Sequence, residues 1–258
     1  MFSAHILKQD WSGDLPRYWN NNSAFNTHFL NALSVVLPEC EKFFIGVVKP
    51  YMKTSVDDHA YILEFIKQEG YHRYAHMQYN DWLSNQGLPI KQLQATTNKR
   101  WAIANKLLTN KQKLALTICI EHITVIYAAV LLENEEMLNA MHSHFKSIWI
   151  YHAVEEIEHR AVTMDIWRNH YSSDLMIKSM MPFALTGYMW YVGKHTLVFL
   201  YHDKQLLKPQ TWKDMITFLF NKKTGLIRRS FLKWMDIMKP NFHPNDHDHS
   251  HLLKISKI

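Results

Sequence analysis

The chain has 258 residues, a formal net charge of +6 and a hydrophobic fraction of 47%. This apolar content is enough to bury a core and excludes an intrinsically disordered protein. Only seven glycines and eight prolines are present, which disfavours a turn-rich β fold. Two cysteines, Cys40 and Cys119, exclude a disulfide framework and suit a reducing compartment. The first ten residues lack the apolar core of a signal peptide, so we expect a cytoplasmic protein.

Helical periodicity predicts an all-α fold in a single domain over residues 1–258. The predicted helices cover roughly residues 23–50, 55–86, 110–134, 137–171, 174–205 and 211–237. Pro38 predicts a kink or a late start in the first helix, and the polar residues 92–100 predict a connector. We expect a four-helix bundle at about 23–171, with accessory helices and a tail at about 174–258.

The most informative pattern lies in the fourth predicted helix. His152, Glu156 and His159 are spaced i, i+4 and i+7, so they share one helical face. Glu69 and His72 repeat the Glu-x-x-His spacing on the second predicted helix. Two such pairs on separate helices are typical of a bundle that holds two metal ions.

Two lone glutamates complete this pattern, because Glu41 and Glu121 lie in apolar stretches of the first and third predicted helices. A buried carboxylate needs a cation, a proton or a hydrogen-bond donor. Taken singly, a Glu-x-x-His pair is common on exposed helix faces, and a lone glutamate is often an ion-pair partner. The combination instead predicts two metal ions. The predicted ligands are Glu41, Glu69, His72, Glu121, His152, Glu156 and His159.

The ligands are assigned to two ions, with Glu69 and Glu156 as bridges between them. The remaining ligands form a first group of Glu41 and His72 and a second group of Glu121, His152 and His159. Mixed carboxylate and imidazole donors favour two iron ions over zinc, with manganese or a mixed manganese–iron pair as the alternative.

Side chains beside these ligands are expected to support them or to lie elsewhere. His76 shares a helix face with Glu69 and is interpreted as a supporting residue, an extra ligand or a solvent-exposed side chain. Glu155 is expected to orient an imidazole. Glu158 is expected at the surface, and His122 is expected to be structural.

The C-terminal third combines basic and apolar residues. Between residues 204 and 239 basic side chains outnumber acidic ones, which favours a solvated helical face over contact with an anionic membrane surface or an acidic partner. Residues 180–201 predict a buried or interface helix rather than a membrane-embedded one, and we expect a homodimer. The histidine-rich residues 242–251 predict a loop packed over the bundle rather than a metal site. Nothing resembles a nucleic-acid module, so no nucleic-acid partner is expected.

Five segments resemble a bacterial family labelled predicted metal-dependent hydrolase. They are residues 37–44, 65–72, 120–122, 152–159 and 242–244, and the resemblance extends from about residue 18 to about residue 250. The family is similar to the ferritin-like di-iron class, which implies a ferritin-like bundle. Its ligand pattern is similar to that of arylamine N-oxygenases, which implies that His152 is a third histidine ligand. Cys40 stands where glycine is usual in the family.

The ligand pattern and the resemblance together predict an enzyme that uses two iron ions and dioxygen, as co-substrate, to oxidise a small organic substrate. The expected reaction is amine N-oxygenation or C–H hydroxylation, and the expected substrate is apolar or aromatic. An external electron donor is expected because no flavin or nicotinamide fingerprint is present. The alternatives are a dinuclear metal-dependent hydrolase and a non-catalytic iron-binding or ferroxidase protein.

Overall fold

Ten α-helices carry the described part of the chain, and no strand occurs within it. The computed structural model describes residues 4–53 and 59–257, so the predicted start of the second helix at residue 55 lies outside the described residues. The helices are α1 (Ala24–Val48), α2 (His59–Asn85), α3 (Ile90–Leu107), α4 (Asn110–Leu132), α5 (Glu135–Asn139), α6 (Ser143–His159), α7 (Val162–His170), α8 (Leu175–His202), α9 (Pro209–Phe220) and α10 (Leu226–Met235). Short 3₁₀ helices occupy Lys49–Lys53, Asp236–Met238, Pro244–Asp246 and Ser250–Lys257. The predicted all-α fold is confirmed.

Helices α1, α2, α4 and α6 form the bundle, and α4 lies at its centre. Helix α1 packs against α2 and α4, and α6 packs against α4 and α2. Helix α8 covers α1 and α4, while α9 and α10 extend this layer. Helix α4 is long and apolar enough to cross a membrane, but its most apolar 18-residue window is 94% buried inside the protein. It is therefore the core helix of the bundle, since its apolar side chains already pack against other helices.

Pro38 lies inside α1, and the helix continues through it. A proline has no backbone N–H, so the carbonyl of Ser34, one turn earlier, loses its helical hydrogen-bond partner. The side-chain amide of Asn80 on α2 donates to this carbonyl oxygen at 2.9 Å. The helix therefore neither starts late nor leaves a buried carbonyl unsatisfied at this position.

The predicted connector at residues 92–100 is wrong, because these residues belong to α3. The helix has a mostly polar sequence with a narrow buried stripe formed by Leu93, Thr97 and Trp101, which are spaced four residues apart. This stripe packs α3 against α1. A stripe of one residue per turn is too narrow to dominate the hydrophobic pattern of the segment.

Two other predicted helices are each interrupted. The predicted helix at 137–171 is divided into α5, α6 and α7, and the first break is set by the backbone of residues 140–142. There the amide of Asn21 donates to the carbonyl of Ala140, and the amide of His142 donates to the carbonyl of Trp19. The predicted helix at 211–237 is divided into α9 and α10 by a turn in which Asn221 Oδ1 accepts from the amide of Lys223.

Candidate metal centre

The seven predicted ligands converge in the interior of the four-helix bundle. Helix α1 supplies one glutamate, α2 a glutamate and a histidine, α4 one glutamate, and α6 two histidines and a glutamate. Each of the seven residues is at most 6% exposed. The helices place them there because each polar residue lies on the face that its helix turns toward the others. The converging residues are Glu41, Glu69, His72, Glu121, His152, Glu156 and His159.

The converging side chains include two groups of three that could each hold a metal ion. Within each group, one potential ligand atom per residue lies within 4.8 Å of the others. One group is Glu41, His72 and His152, and the other is Glu69, Glu156 and His159.

The structure therefore corrects the predicted position of His152, which lies with Glu41 and His72 rather than beside His159. Residues seven apart on a helix are separated by about 10 Å along the helix axis, although they share a face. The imidazoles of His152 and His159 consequently lie on opposite sides of Glu156.

Glu156 lies between the two groups. Its Oε1 atom is 3.3 Å from His152 Nε2 and 4.0 Å from His72 Nδ1. Its Oε2 atom is 3.7 Å from His159 Nε2. Each carboxylate oxygen thus faces a different group of imidazoles.

Glu69 and Glu121 both approach His159. The Nε2 atom of His159 is 3.2 Å from Glu69 Oε1 and 3.5 Å from Glu121 Oε2. Glu121 therefore stands on the side of the second group, as predicted, and the contact of Glu69 with His159 lies on the same side.

Each of the three imidazoles lies against a side chain outside the ligand set. His72 Nε2 lies 2.8 Å from Glu155 Oε2. His152 Nδ1 lies 3.3 Å from His76 Nε2, and this is the contact that places His76 beside the site. In both imidazoles the other ring nitrogen, Nδ1 of His72 and Nε2 of His152, is on the side of Glu156. Such contacts fix ring orientation and are a regular feature of histidine ligands to metals.

The third imidazole has a support that the sequence did not suggest. His159 Nδ1 lies 3.1 Å from Gln68 Oε1, and the amide of Gln68 donates to Glu158 Oε2 at 2.7 Å. Glu158 is therefore partly buried and hydrogen-bonded, which corrects its predicted surface position. The signal for Gln68 was weak, since a glutamine next to Glu69 is unremarkable in a helix.

Thr124 is a further residue that sequence reasoning missed. Its hydroxyl lies one turn after Glu121 on α4 and donates to Glu156 Oε2 at 2.8 Å. His122, by contrast, contacts the carbonyls of Lys233 and Trp234 on α10, in agreement with its predicted structural role.

Burial dominates the electrostatics of the carboxylates. It raises the pKa of Glu41 and of Glu69 well above the usual range, and the neighbouring acids add to this effect. Burial and the charge of Glu156 raise the pKa of Glu121 to about 7. Burial opposes ionisation of Glu156 as well, but the nearby imidazoles of His159, His152 and His72 lower its pKa to about 2. The apolar interior thus holds four carboxyl groups but too little positive charge to stabilise all of them in the ionised form.

The donor set fits metal ions. Both carboxylate oxygens of Glu41 are buried and lack a hydrogen-bond partner in the described part of the chain. Burial lowers the pKa of His72 and of His152 to about 3, so these imidazoles are neutral and keep a free lone pair. A buried carboxylate without a donor and neutral imidazoles are the groups that a divalent cation would satisfy.

An apolar cavity of about 50 Å³ adjoins the first group at His152. Its wall is almost entirely hydrocarbon. The cavity adjoins the site through two of its lining residues, Thr124 and His152. The other lining residues are Leu30, Leu33, Leu37, Tyr127, Ala128, Leu131, Met137, Trp149, Ala153, Tyr188 and Leu226. A larger cleft of about 630 Å³, which includes Trp101 and Tyr171, is lined by none of the seven candidate ligands.

The fold and the site define an all-α protein whose buried histidine and glutamate clusters could hold metal ions. Residues 4–248 match the model of the family described as "Predicted metal-dependent hydrolase", and the chain belongs to this family. The comparison with curated proteins and the comparison with solved structures gave no match. The resemblance to the hydrolase family is thereby confirmed, whereas the similarity to the ferritin-like di-iron class and to N-oxygenases stays a prediction.

Proposed function

We propose that the seven converging residues bind two metal ions. The first would be held by Glu41, His72 and His152, and the second by residues of α2, α4 and α6, namely Glu69, Glu121 and His159. Glu156 would bridge them, because its two oxygens face the two groups. This revises the predicted division at His152 and leaves Glu156 as the better supported of the two predicted bridges.

Iron is the metal that we propose, with manganese as the alternative. Four carboxylates and three imidazoles form a set of oxygen and nitrogen donors, and no thiolate belongs to it. Zinc in structural sites is usually held by sulfur and nitrogen in a closed tetrahedron, which two groups of carboxylates and imidazoles around a shared glutamate do not resemble.

The proposed reaction is the oxidation of a small apolar substrate by dioxygen. The observation that carries it is the apolar cavity against His152, which suits dioxygen and a hydrocarbon group better than water and a polar ester. When bound, two iron ions would supply the electrons with which dioxygen is activated. The chain itself would exclude water through the cavity wall and hold the imidazoles of the site through Glu155, His76 and Gln68.

Hydrolysis is the second candidate, and the family description favours it. In that case the metal ions would polarise a carbonyl or phosphoryl group of the substrate. The same ligands would be needed, but the substrate would have to reach the site through a cavity whose lining offers few polar groups.

One experiment separates the candidates. The metal-free protein would be loaded anaerobically with ferrous iron, its metal content measured, and oxygen consumption followed after mixing with air-saturated buffer. Two irons per chain with rapid oxygen uptake would support the oxidative reaction. No oxygen uptake, together with ester cleavage by the manganese- or zinc-loaded protein, would support hydrolysis instead. Continued uptake of many irons per chain would indicate iron storage.

A variant tests the bridging position. Glu156→Ala should lose binding of both ions, with Glu136→Ala on the exposed part of α5 as the control. Retention of two ions per chain by the Glu156 variant would refute the assignment.

A further inference from the structure

The exposed large hydrophobic side chains are concentrated outside the bundle, on α8, α9 and α10. On α8, Phe183, Trp190, Leu197 and Tyr201 are between 45% and 75% exposed. Their spacing of seven, seven and four residues places them on one stripe of the helix. Tyr188, on another side of α8, is 4% exposed and lines the cavity at the metal centre. The outer stripe therefore has no partner within the described part of the chain.

The stripe continues from α8 onto α9. An apolar surface groove of about 470 Å³ is lined by Trp190, Leu197, Tyr201 and Leu206, together with Lys194. Leu206 connects the groove to the next helix, because its carbonyl accepts a hydrogen bond from the indole of Trp212 at 2.8 Å.

Helices α9 and α10 extend the apolar exposure beyond this groove. Leu207, before α9, is 93% exposed, and Ile216, one turn after Trp212, is 59% exposed. On α10, Phe231 and Leu232 are 50% and 74% exposed.

The net charge of this region is positive. Residues 175–239 contain eleven basic side chains and three acidic ones. The three acids are all partly buried: Asp203 pairs with Arg17 and His28, Asp214 accepts from Ser23, and Asp236 pairs with Lys239 and His247. Between residues 175 and 239 the fully exposed charges are therefore lysines and one arginine, and no exposed acid lies among them.

We propose that the outer stripe of α8 and the adjoining α9 bind the surface of an anionic membrane. Aromatic and leucine side chains would enter the headgroup region, and the surrounding lysines would contact acidic lipid headgroups. A second copy of the chain fits the same face poorly, because two such faces would bring lysines against lysines. This inference does not depend on which reaction the metal centre performs.

The test is sedimentation of the full chain with lipid vesicles. One set of vesicles would be phosphatidylcholine alone and another would contain about one third phosphatidylglycerol. The chain should bind the anionic vesicles at least about tenfold more tightly, and this preference should weaken as salt is raised. Equal binding to both vesicles, or binding to neither, would overturn the proposal.

Two variants with matched controls locate the surface. Trp190→Ser combined with Leu197→Ser should weaken binding to anionic vesicles about tenfold or more. The control is Ile103→Ser with Leu107→Ser, a pair on α3 that is 49% and 72% exposed. An equal effect of both pairs would show that the stripe is not the binding surface.

The charge variants use the same design. Lys208→Glu with Lys213→Glu should weaken binding about tenfold or more, while Lys91→Glu with Lys99→Glu on α3 should change it much less. Sedimentation equilibrium without lipid tests whether a second copy of the chain binds the stripe instead. A dimer that Trp190→Ser dissociates would assign the stripe to a second copy of the chain and overturn the membrane proposal.

Discussion

His76 Nε2 lies 3.3 Å from His152 Nδ1, and His76 Nδ1 lies 3.0 Å from Ser34 Oγ. His76 is fully buried, so both of its ring nitrogens are used inside the protein. The contact leaves His152 Nε2 directed toward Glu156. His76 is thus a positioning residue, which acts on the centre through another imidazole.

The first prediction concerns this contact. His76→Phe keeps an aromatic ring but removes both hydrogen bonds, and it should lower the affinity of the first group for a metal ion by about 10- to 100-fold. Anaerobic metal titration measures the change, and circular dichroism checks the fold. Ser34→Ala keeps the contact of His76 with His152 and removes the Ser34 hydroxyl, which bonds to His76 and to Asn80 Oδ1, so it should have a smaller effect on metal affinity. Unchanged affinity in the His76 variant would exclude a positioning role.

The second prediction concerns the cost of the metal-free site. Glu41 is buried without a hydrogen-bond partner for its oxygens in the described structure, so Glu41→Leu should stabilise the metal-free protein by about 1–3 kcal/mol. The same variant should lose most of the stabilisation that added metal gives to the wild type. Thermal unfolding with and without metal measures both effects. Glu39→Leu, on the same helix but outside the cluster, should keep the metal response. A destabilised metal-free Glu41 variant would contradict the prediction.

The third prediction concerns acid sensitivity away from the metal centre. Burial alone would raise the pKa of Asp203, but hydrogen bonds from His28 and Arg17 hold it far below its usual value. A carboxyl whose pKa is depressed in the folded state stabilises the protein above its unfolded pKa of about 3.9, and this contribution is lost as the pH falls toward the folded-state pKa. Asp203→Asn should therefore reduce stability at pH 7 by about 3 kcal/mol.

Urea unfolding at several pH values measures this contribution. The difference in unfolding free energy between the wild type and Asp203→Asn should shrink between about pH 4 and pH 2. Taking the difference cancels the titration of the buried glutamates, which both proteins share. A difference that stays constant down to pH 2 would rule out the assigned role of Asp203.

The fourth prediction concerns the proline in α1. Asn80→Leu removes the donor to the Ser34 carbonyl and should destabilise the protein by about 1–3 kcal/mol. Adding Pro38→Ala restores a backbone N–H one turn after Ser34, so the double variant should regain part of the loss. A double-mutant cycle by urea unfolding measures the coupling. Strict additivity of the two changes would mean that Asn80 does not replace the missing helical hydrogen bond.

The sequence singled out residues that the fold brings together, because polar residues in apolar helices are conspicuous. Glu41 and Glu121 stand out in hydrophobic stretches, and the spacing of His152, Glu156 and His159 places them on one face. The all-α fold followed from composition and periodicity. Composition, periodicity and residue spacing are local properties, which can be read from short stretches of the sequence.

What the sequence could not predict depends on contacts between distant segments. The break before α6 arises where residues 140–142 pair with residues 19–21, and no residue pattern within the helix itself predicts it. His152 was assigned to the wrong group because it shares a helix face with His159. The two residues are nevertheless separated along the helix axis by the rise of seven residues, which the shared face does not reveal. Gln68 is identified only by the ring that it contacts across the bundle.

The contact between Glu155 and His72 continues to the surface of the protein. Glu155 Oε1 also lies 3.2 Å from Nδ1 of His5, a residue whose side chain is 66% exposed. The carbonyl of His5 in turn accepts from the Tyr151 hydroxyl, so the N-terminal segment is fastened over this corner of the bundle. Two contacts therefore link the exposed His5 side chain to His72, so the surroundings of this candidate ligand include an N-terminal segment as well as the helices of the bundle.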